Sequence, residues 1–143
     1  MIGIAVEVAI TRPAAQVWNV VADYARDPEW RRGVTAMEPS GPLAVGTTTD
    51  ERMRFAGKGY RNGGVVETVG PGPTFTWRTT SGVTAAGRRT VEALGPDRCR
   101  VRLETTVEPS GFERLLAPVL GRLLQRNLAG DAARLRELVE RGP

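Results

Sequence analysis

From Gly33 to Val107 the chain is a succession of extended, β-rich runs broken at short intervals by glycine and proline, and a long stretch of helical period follows it. The breaks are Ser40-Gly41-Pro42, Ala56-Gly57, Gly63-Gly64, Gly70-Pro71-Gly72-Pro73, Ser81-Gly82 and Gly95-Pro96-Asp97. Runs punctuated in this way read as an antiparallel meander. In the last of them Arg100, Arg102 and Glu104 alternate with Val101, Leu103 and Thr105, so one face meets water and the other an interior.

The flanks of this region are equally directive. Ile4, Val6, Val8 and Ile10 share one face of a strand from about Ile2 to Ile10, with Glu7 on the other. Thr11 reads as a helix N-cap followed by Pro13, and Val17, Val20 and Val21 give a short apolar stripe beside Trp18. A second short helical piece follows from about Asp23 to Trp30, with turn chemistry at Asp27-Pro28. At the other end, Ser110 and Glu113 have capping-box spacing. Phe112, Leu116, Val119, Leu120, Leu123, Leu124, Leu128, Leu135, Leu138 and Val139 form a wide apolar stripe up to Glu140. A helix of this length reaches roughly 45 Å, enough to cross a sheet. Pro118 should kink or restart it.

Composition removes several function classes. The 143 residues, 41% hydrophobic and 25% charged, suit one globular domain spanning 1–143. The N-terminus lacks a basic start and a small-residue cleavage site, so it reads as a strand and the protein is expected to be cytoplasmic. The greasiest stretch, Leu115 to Leu124, is interrupted by Pro118, Gly121 and Arg122, so no transmembrane segment is expected. Cys99 is the only cysteine and there is no histidine. This excludes an intramolecular disulfide, a cysteine zinc site and any His-based triad, and no metal or cofactor is expected. The net charge is +4, but only Arg31-Arg32 and Arg88-Arg89 are adjacent basic pairs, too scattered for a nucleic-acid footprint.

The order strand, two short helices, six-strand meander and long C-terminal helix resembles the START-like (SRPBCC) superfamily. Val8-Ala9-Ile10-Thr11-Arg12-Pro13-Ala14-Ala15-Gln16-Val17-Trp18 and Val20-Val21-Ala22-Asp23 are similar to its opening strand and first helix. Asp27-Pro28-Glu29-Trp30 with Gly33-Val34, and Gly70-Pro71-Gly72-Pro73-Thr74-Phe75-Thr76-Trp77, resemble its second-strand entrance and its proline hairpin. The likeness covers nearly the whole chain and is strongest toward the bacterial polyketide cyclase/dehydrase and lipid-transport branch. It implies an α+β helix-grip fold, with a curved antiparallel sheet of about seven strands wrapped around the C-terminal helix. It also implies members that hold hydrophobic small molecules, some of which catalyse aldol cyclisation or dehydration.

A bent sheet cannot lie flush on a straight helix, and three Phe, three Trp and two Tyr against seventeen Gly leave few large fillers. A cavity of a few hundred Å³ is the expectation. Met53 and Phe55 should point inward, and alternation then brings in Thr49 and Glu51. A register slipped by one residue would instead turn Asp50 and Arg52 inward. Arg88 and Tyr60 are candidate partners for Glu51, whose other reading is a solvent-open strand end. The candidate ligand-binding residues are Trp30, Glu51, Met53, Phe55, Tyr60, Phe75, Trp77, Arg88, Leu116, Leu120, Leu123 and Asn127. Trp18 and Trp30 also read as braces for the short helices, and Cys99 as a small buried residue.

The leading function is binding or carriage of a small hydrophobic molecule, by a monomer or homodimer. The first alternative is a cyclase/dehydratase-type enzyme, with Glu51 abstracting a proton while Arg88 or Tyr60 stabilises the oxyanion. The second is an interaction or regulatory module presenting Arg114, Arg122, Arg126, Arg134 and Arg136 of the long helix, whose simpler reading is a solvated face.

Overall fold

A computed structural model describes residues 1–141, apart from the side chain of Phe112, so that part of the expected stripe lies outside the described residues. Its strands are β1 (Ile2–Ile10), β2 (Val34–Pro39), β3 (Thr48–Phe55), β4 (Lys58–Val69), β5 (Thr74–Ser81), β6 (Thr84–Gly95) and β7 (Arg98–Glu108). They form one antiparallel sheet in the order β1-β7-β6-β5-β4-β3-β2. Helix α1 (Ala14–Val21) and a 3₁₀ helix (Tyr24–Glu29) precede β2, and α2 (Ala117–Arg141) closes the chain. This curled sheet gripping a C-terminal helix is the helix-grip architecture. Among the described residues no helix is long and apolar enough to cross a membrane.

The meander holds with one change. Gly63-Gly64 does not separate two strands; it lies inside the twelve-residue β4, where the register against β5 shifts. A Cβ on Gly63 would come within 2.6 Å of the Ser81 hydroxyl, and one on Gly64 equally close to that of Thr49. Small residues at a bulge let the sheet bend without breaking the ladder, and that bend makes the cup.

Two expected caps take other roles. Pro13 occupies the N-cap of α1 without a side-chain bond, while the Thr11 amide and hydroxyl both donate to the Glu140 carboxylate, at 2.9 and 2.8 Å. Thr11 thus ties the end of β1 to the end of α2. Ser110 and Glu113 form no capping box; the Glu113 amide donates to the Ser110 carbonyl at 3.1 Å in a separate 3₁₀ turn, Gly111–Arg114. Pro118 stands second in α2, in the first turn, where a missing amide proton costs little.

The core has two clusters. One joins Ile10, Val17, Val21, Val91, Cys99, Val101 and Leu103 to Ala132, Leu135 and Val139 of α2. The other gathers Tyr24, Val34, Met37, Val66 and Phe75. The C-terminal half of α2 is therefore buried on the sheet. Its N-terminal half is not, for Val119 and Leu123 are 54% and 40% exposed, as is Leu116 just ahead of it at 57%. At 3.6 residues per turn the stripe is wider than the sheet covers, and these three fall on its outer flank.

The candidate cavity and its ion-pair network

Between the sheet and the middle of α2 lies a cavity of about 190 Å³, below the few hundred expected. From β3 it is bordered by Thr49, Glu51, Met53 and Phe55, which share one face. The slipped register is not adopted, since Asp50 instead meets Arg61 at 2.9 Å on the opposite, exposed face. Tyr60 and Asn62 of β4, Trp77 of β5, and Leu120, Leu124, Asn127, Leu128 and Asp131 of α2 continue the wall, with Trp30 and Arg31 beside the 3₁₀ helix. A Cβ on Gly87 would meet the Trp77 ring at 2.6 Å, so the glycine gives the indole its place.

Three sequence candidates lie elsewhere. Leu116, just ahead of α2, and Leu123, on its outer flank, are exposed. Phe75 is fully buried behind the wall, edge-on to Trp18 and Tyr24 at centroid distances of 6.0 and 5.6 Å.

Arg88 borders the cavity but is exposed, and strand alternation sends its side chain to the face opposite the buried Arg89. The expected partnership of Glu51 with Arg88 or Tyr60 therefore does not form. Glu51 receives Arg31 Nη1 on Oε2 at 2.7 Å and Asn62 Nδ2 on Oε1 at 3.1 Å. Asn62 stands directly across the ladder from Glu51, while Tyr60 faces Met53. The Asn62 oxygen accepts from the Val83 amide at 2.9 Å, which fixes the orientation of its amide.

Behind Glu51 the polar chain runs inward. Arg31 Nη1 also donates to Asp27 Oδ2 at 3.0 Å, and Arg89 grips both Asp27 oxygens at 3.0 and 2.7 Å. Arg89 further donates to the Val21 carbonyl at 3.1 Å, and its guanidinium lies 4.8 Å from the Tyr24 ring centroid and 5.1 Å from that of Trp30. Asp27 is wholly inaccessible. Two-pronged, charge-assisted bonds of this kind are needed to offset the desolvation of a buried pair. Burial pushes the Tyr24 hydroxyl up to about 12, with Arg89 opposing, so Tyr24 remains a neutral phenol at neutral pH.

Asp131 closes the other side. Its Oδ1 accepts from the Arg32 amide at 3.2 Å and from Arg134, leaving Oδ2 without a partner among the described residues. Arg134 is thus tied inward though still partly exposed, since its Nε also donates to the Trp30 carbonyl at 3.1 Å. Burial raises the Asp131 carboxyl above its ordinary 3.8, against the lowering effect of Arg134 and Arg31. The resulting cost to folding is fully present above the raised value and disappears as pH falls toward 3.8, where folded and unfolded states both hold the proton. Asp131→Asn keeps an oxygen acceptor but does not titrate. It should raise Tm by a few degrees at pH 7, and the gain should shrink toward about pH 4 in paired thermal melts.

Sequence reasoning missed Tyr24, Asp27, Arg31, Asn62, Arg89 and Asp131. For Arg89 the visible signal was the adjacent pair Arg88-Arg89, because on a strand one of two neighbours must turn inward. Cys99 is the expected small core residue, its thiol pushed up by burial. Among the described residues no group of three or more acidic or cysteine side chains is placed to hold a metal ion.

The family described as polyketide cyclase / dehydrase and lipid transport matches residues 1–140. No curated protein matches the chain. Among solved structures, the Zhui aromatase/cyclase from Streptomyces sp. R1128 superposes with a TM-score of 0.82 at 16% identity, over 97% of this chain and 93% of that one. A START superfamily protein from Mycobacterium smegmatis gives 0.83 at 16% identity over 99% of both chains. Norcoclaurine synthase from Thalictrum flavum, solved in complex with dopamine and hydroxybenzaldehyde, gives 0.67 at 18% identity, over 99% of this chain and 87% of that one. At such identities the likeness is one of fold.

Proposed function

Because the chain belongs to the polyketide cyclase / dehydrase and lipid transport family, we propose that it binds or carries a small hydrophobic molecule in the cavity between its sheet and α2. The observation that carries this reading is a cavity of about 190 Å³ whose wall is largely apolar and includes Arg31 with its partner Glu51. Apolar burial at roughly 25 cal/mol per Å² supplies the affinity, and the polar groups fix orientation. Ala85 of β6 lines the cavity and is half-buried. Native mass spectrometry with a panel of apolar compounds should show one-to-one adducts on the protein. Ala85→Trp, which fills the space, should weaken them at least tenfold while the fold survives by circular dichroism. Adducts that persist in the filled variant would place binding elsewhere and sink the reading.

Acid–base chemistry of the cyclase/dehydratase type is the second reading, favoured by one observation. Asp131 presents an unpartnered oxygen on a carboxyl whose affinity for protons is raised by burial, as a general base requires. Glu51 suits that role less well, since both its oxygens are engaged. On this reading Asp131→Asn abolishes turnover of a carbonyl substrate and Glu51→Gln does not. The reverse pattern would return the role to Glu51.

A further inference from the structure

Arg31 is used on one nitrogen only. Its Nη1 makes both ion pairs, to Asp27 at 3.0 Å and to Glu51 at 2.7 Å. Its Nε and Nη2 have no hydrogen-bond partner among the described residues, and neither is sealed from a water-sized probe. The two ion pairs hold the guanidinium against the network, yet 22% of the side chain stays accessible in the cavity wall. The free edge of a guanidinium, Nε with Nη2, presents parallel N–H groups that match one carbonyl oxygen or both oxygens of a carboxylate.

Two further donors on this wall lack acceptors. Trp30 Nε1 is the one fully buried side-chain polar atom among the described residues with no hydrogen-bond partner. The Tyr24 hydroxyl donates no hydrogen bond among the described residues, and both rings border the cavity beside Arg31. Arg31 and Arg89 are balanced in charge by Asp27 and Glu51, so what stays unused at Arg31 is N–H groups, without net positive charge. An oxygen acceptor at Arg31 would use its open edge, which a cation or a pure donor could not.

Size narrows the class. A dry cavity of about 150 Å³ accommodates benzene, so about 190 Å³ suits one or two fused rings better than three.

We propose that the cavity takes a one- or two-ring compound carrying a carbonyl or carboxylate oxygen, received by Nε and Nη2 of Arg31. This rests on the ligand-site reading above, and the test keeps the two apart. The probes are 2-acetylnaphthalene and 2-naphthoate, the near-isosteric 2-ethylnaphthalene, which lacks an acceptor, and 2-acetylanthracene, which adds a ring. Isothermal titration should show at least one oxygen-bearing two-ring probe binding at least tenfold more tightly than 2-ethylnaphthalene, and 2-acetylanthracene at least tenfold more weakly than 2-acetylnaphthalene. Arg31→Lys keeps a charge for Asp27 and Glu51 but has no second edge. It should erase the preference for oxygen, so that the oxygen-bearing two-ring probes and 2-ethylnaphthalene bind the variant alike.

Equal affinity of the three two-ring probes, or a preference that survives Arg31→Lys, would overturn the acceptor assignment while the cavity reading stood. Equal binding of the anthracene would overturn the size class. Failure of every probe to bind would remove both. Should Arg31→Lys not fold, the comparison among the probes on the unaltered protein decides by itself.

Discussion

Replacing Asp27 by alanine is expected to cost about 3–5 kcal/mol of folding stability, the penalty for stranding a buried charge. Asp27 is wholly inaccessible and takes two bonds from Arg89 and one from Arg31. Without it the Arg89 guanidinium keeps only the Val21 carbonyl and the aromatic faces around it. Since a domain of this kind has a total stability of about 5–15 kcal/mol, the variant should be marginal at physiological temperature. Urea denaturation checks the size of the loss. The pairing account also predicts that Asp27→Leu combined with Arg89→Met recovers much of it, because an apolar pair leaves no uncompensated charge. A double variant as unstable as Asp27→Ala would show that the two residues matter for packing and not for mutual neutralisation.

The second large effect belongs to Phe75. Truncation to alanine should cost about 3–5 kcal/mol, as for other buried phenylalanines. The ring is inaccessible, lies edge-on to Trp18 and Tyr24, and sits 5.6 Å from the Arg89 guanidinium. The hole left behind would open directly beneath the residues that hold the cavity wall, so tertiary order should fall with stability. Thermal melts read the first, and near-ultraviolet circular dichroism of the tryptophans the second. A loss under about 1.5 kcal/mol would mean that the neighbours collapse into the space and that Phe75 is not a brace.

These residues show how the reading of the chain divides. The meander and the long terminal helix were legible because they depend on local signals: glycine and proline at the turns, period two between them, and period 3.6 afterwards. The inward face of β3 was legible too, since Met53 and Phe55 anchor an alternation that carries Glu51 with them. Gly63-Gly64 misled because a bulge inside a strand and a break between strands share the same residues, and only pairing with β5 tells them apart. Thr11 misled for a related reason: its hydroxyl had a local use as a cap and a distant one on Glu140, 129 positions along the chain, and the distant one prevailed.

The polar centre lay beyond any local signal. Asp27 and Arg89 are 62 positions apart, and Arg31 and Glu51 are 20 apart. Composition shows that such charges exist, but charges on different elements are matched only when the sheet curls and the 3₁₀ helix docks into it. Alternation along one strand required that either Arg88 or Arg89 face inward; which of them did so was set by the pairing of β6 with β5 and β7. What periodicity can specify within a few residues, the cup and its rod, was therefore present in the chain as written. What depends on groups meeting across the cup, the choice of buried arginine and the free edge of Arg31, came into being only with the packing.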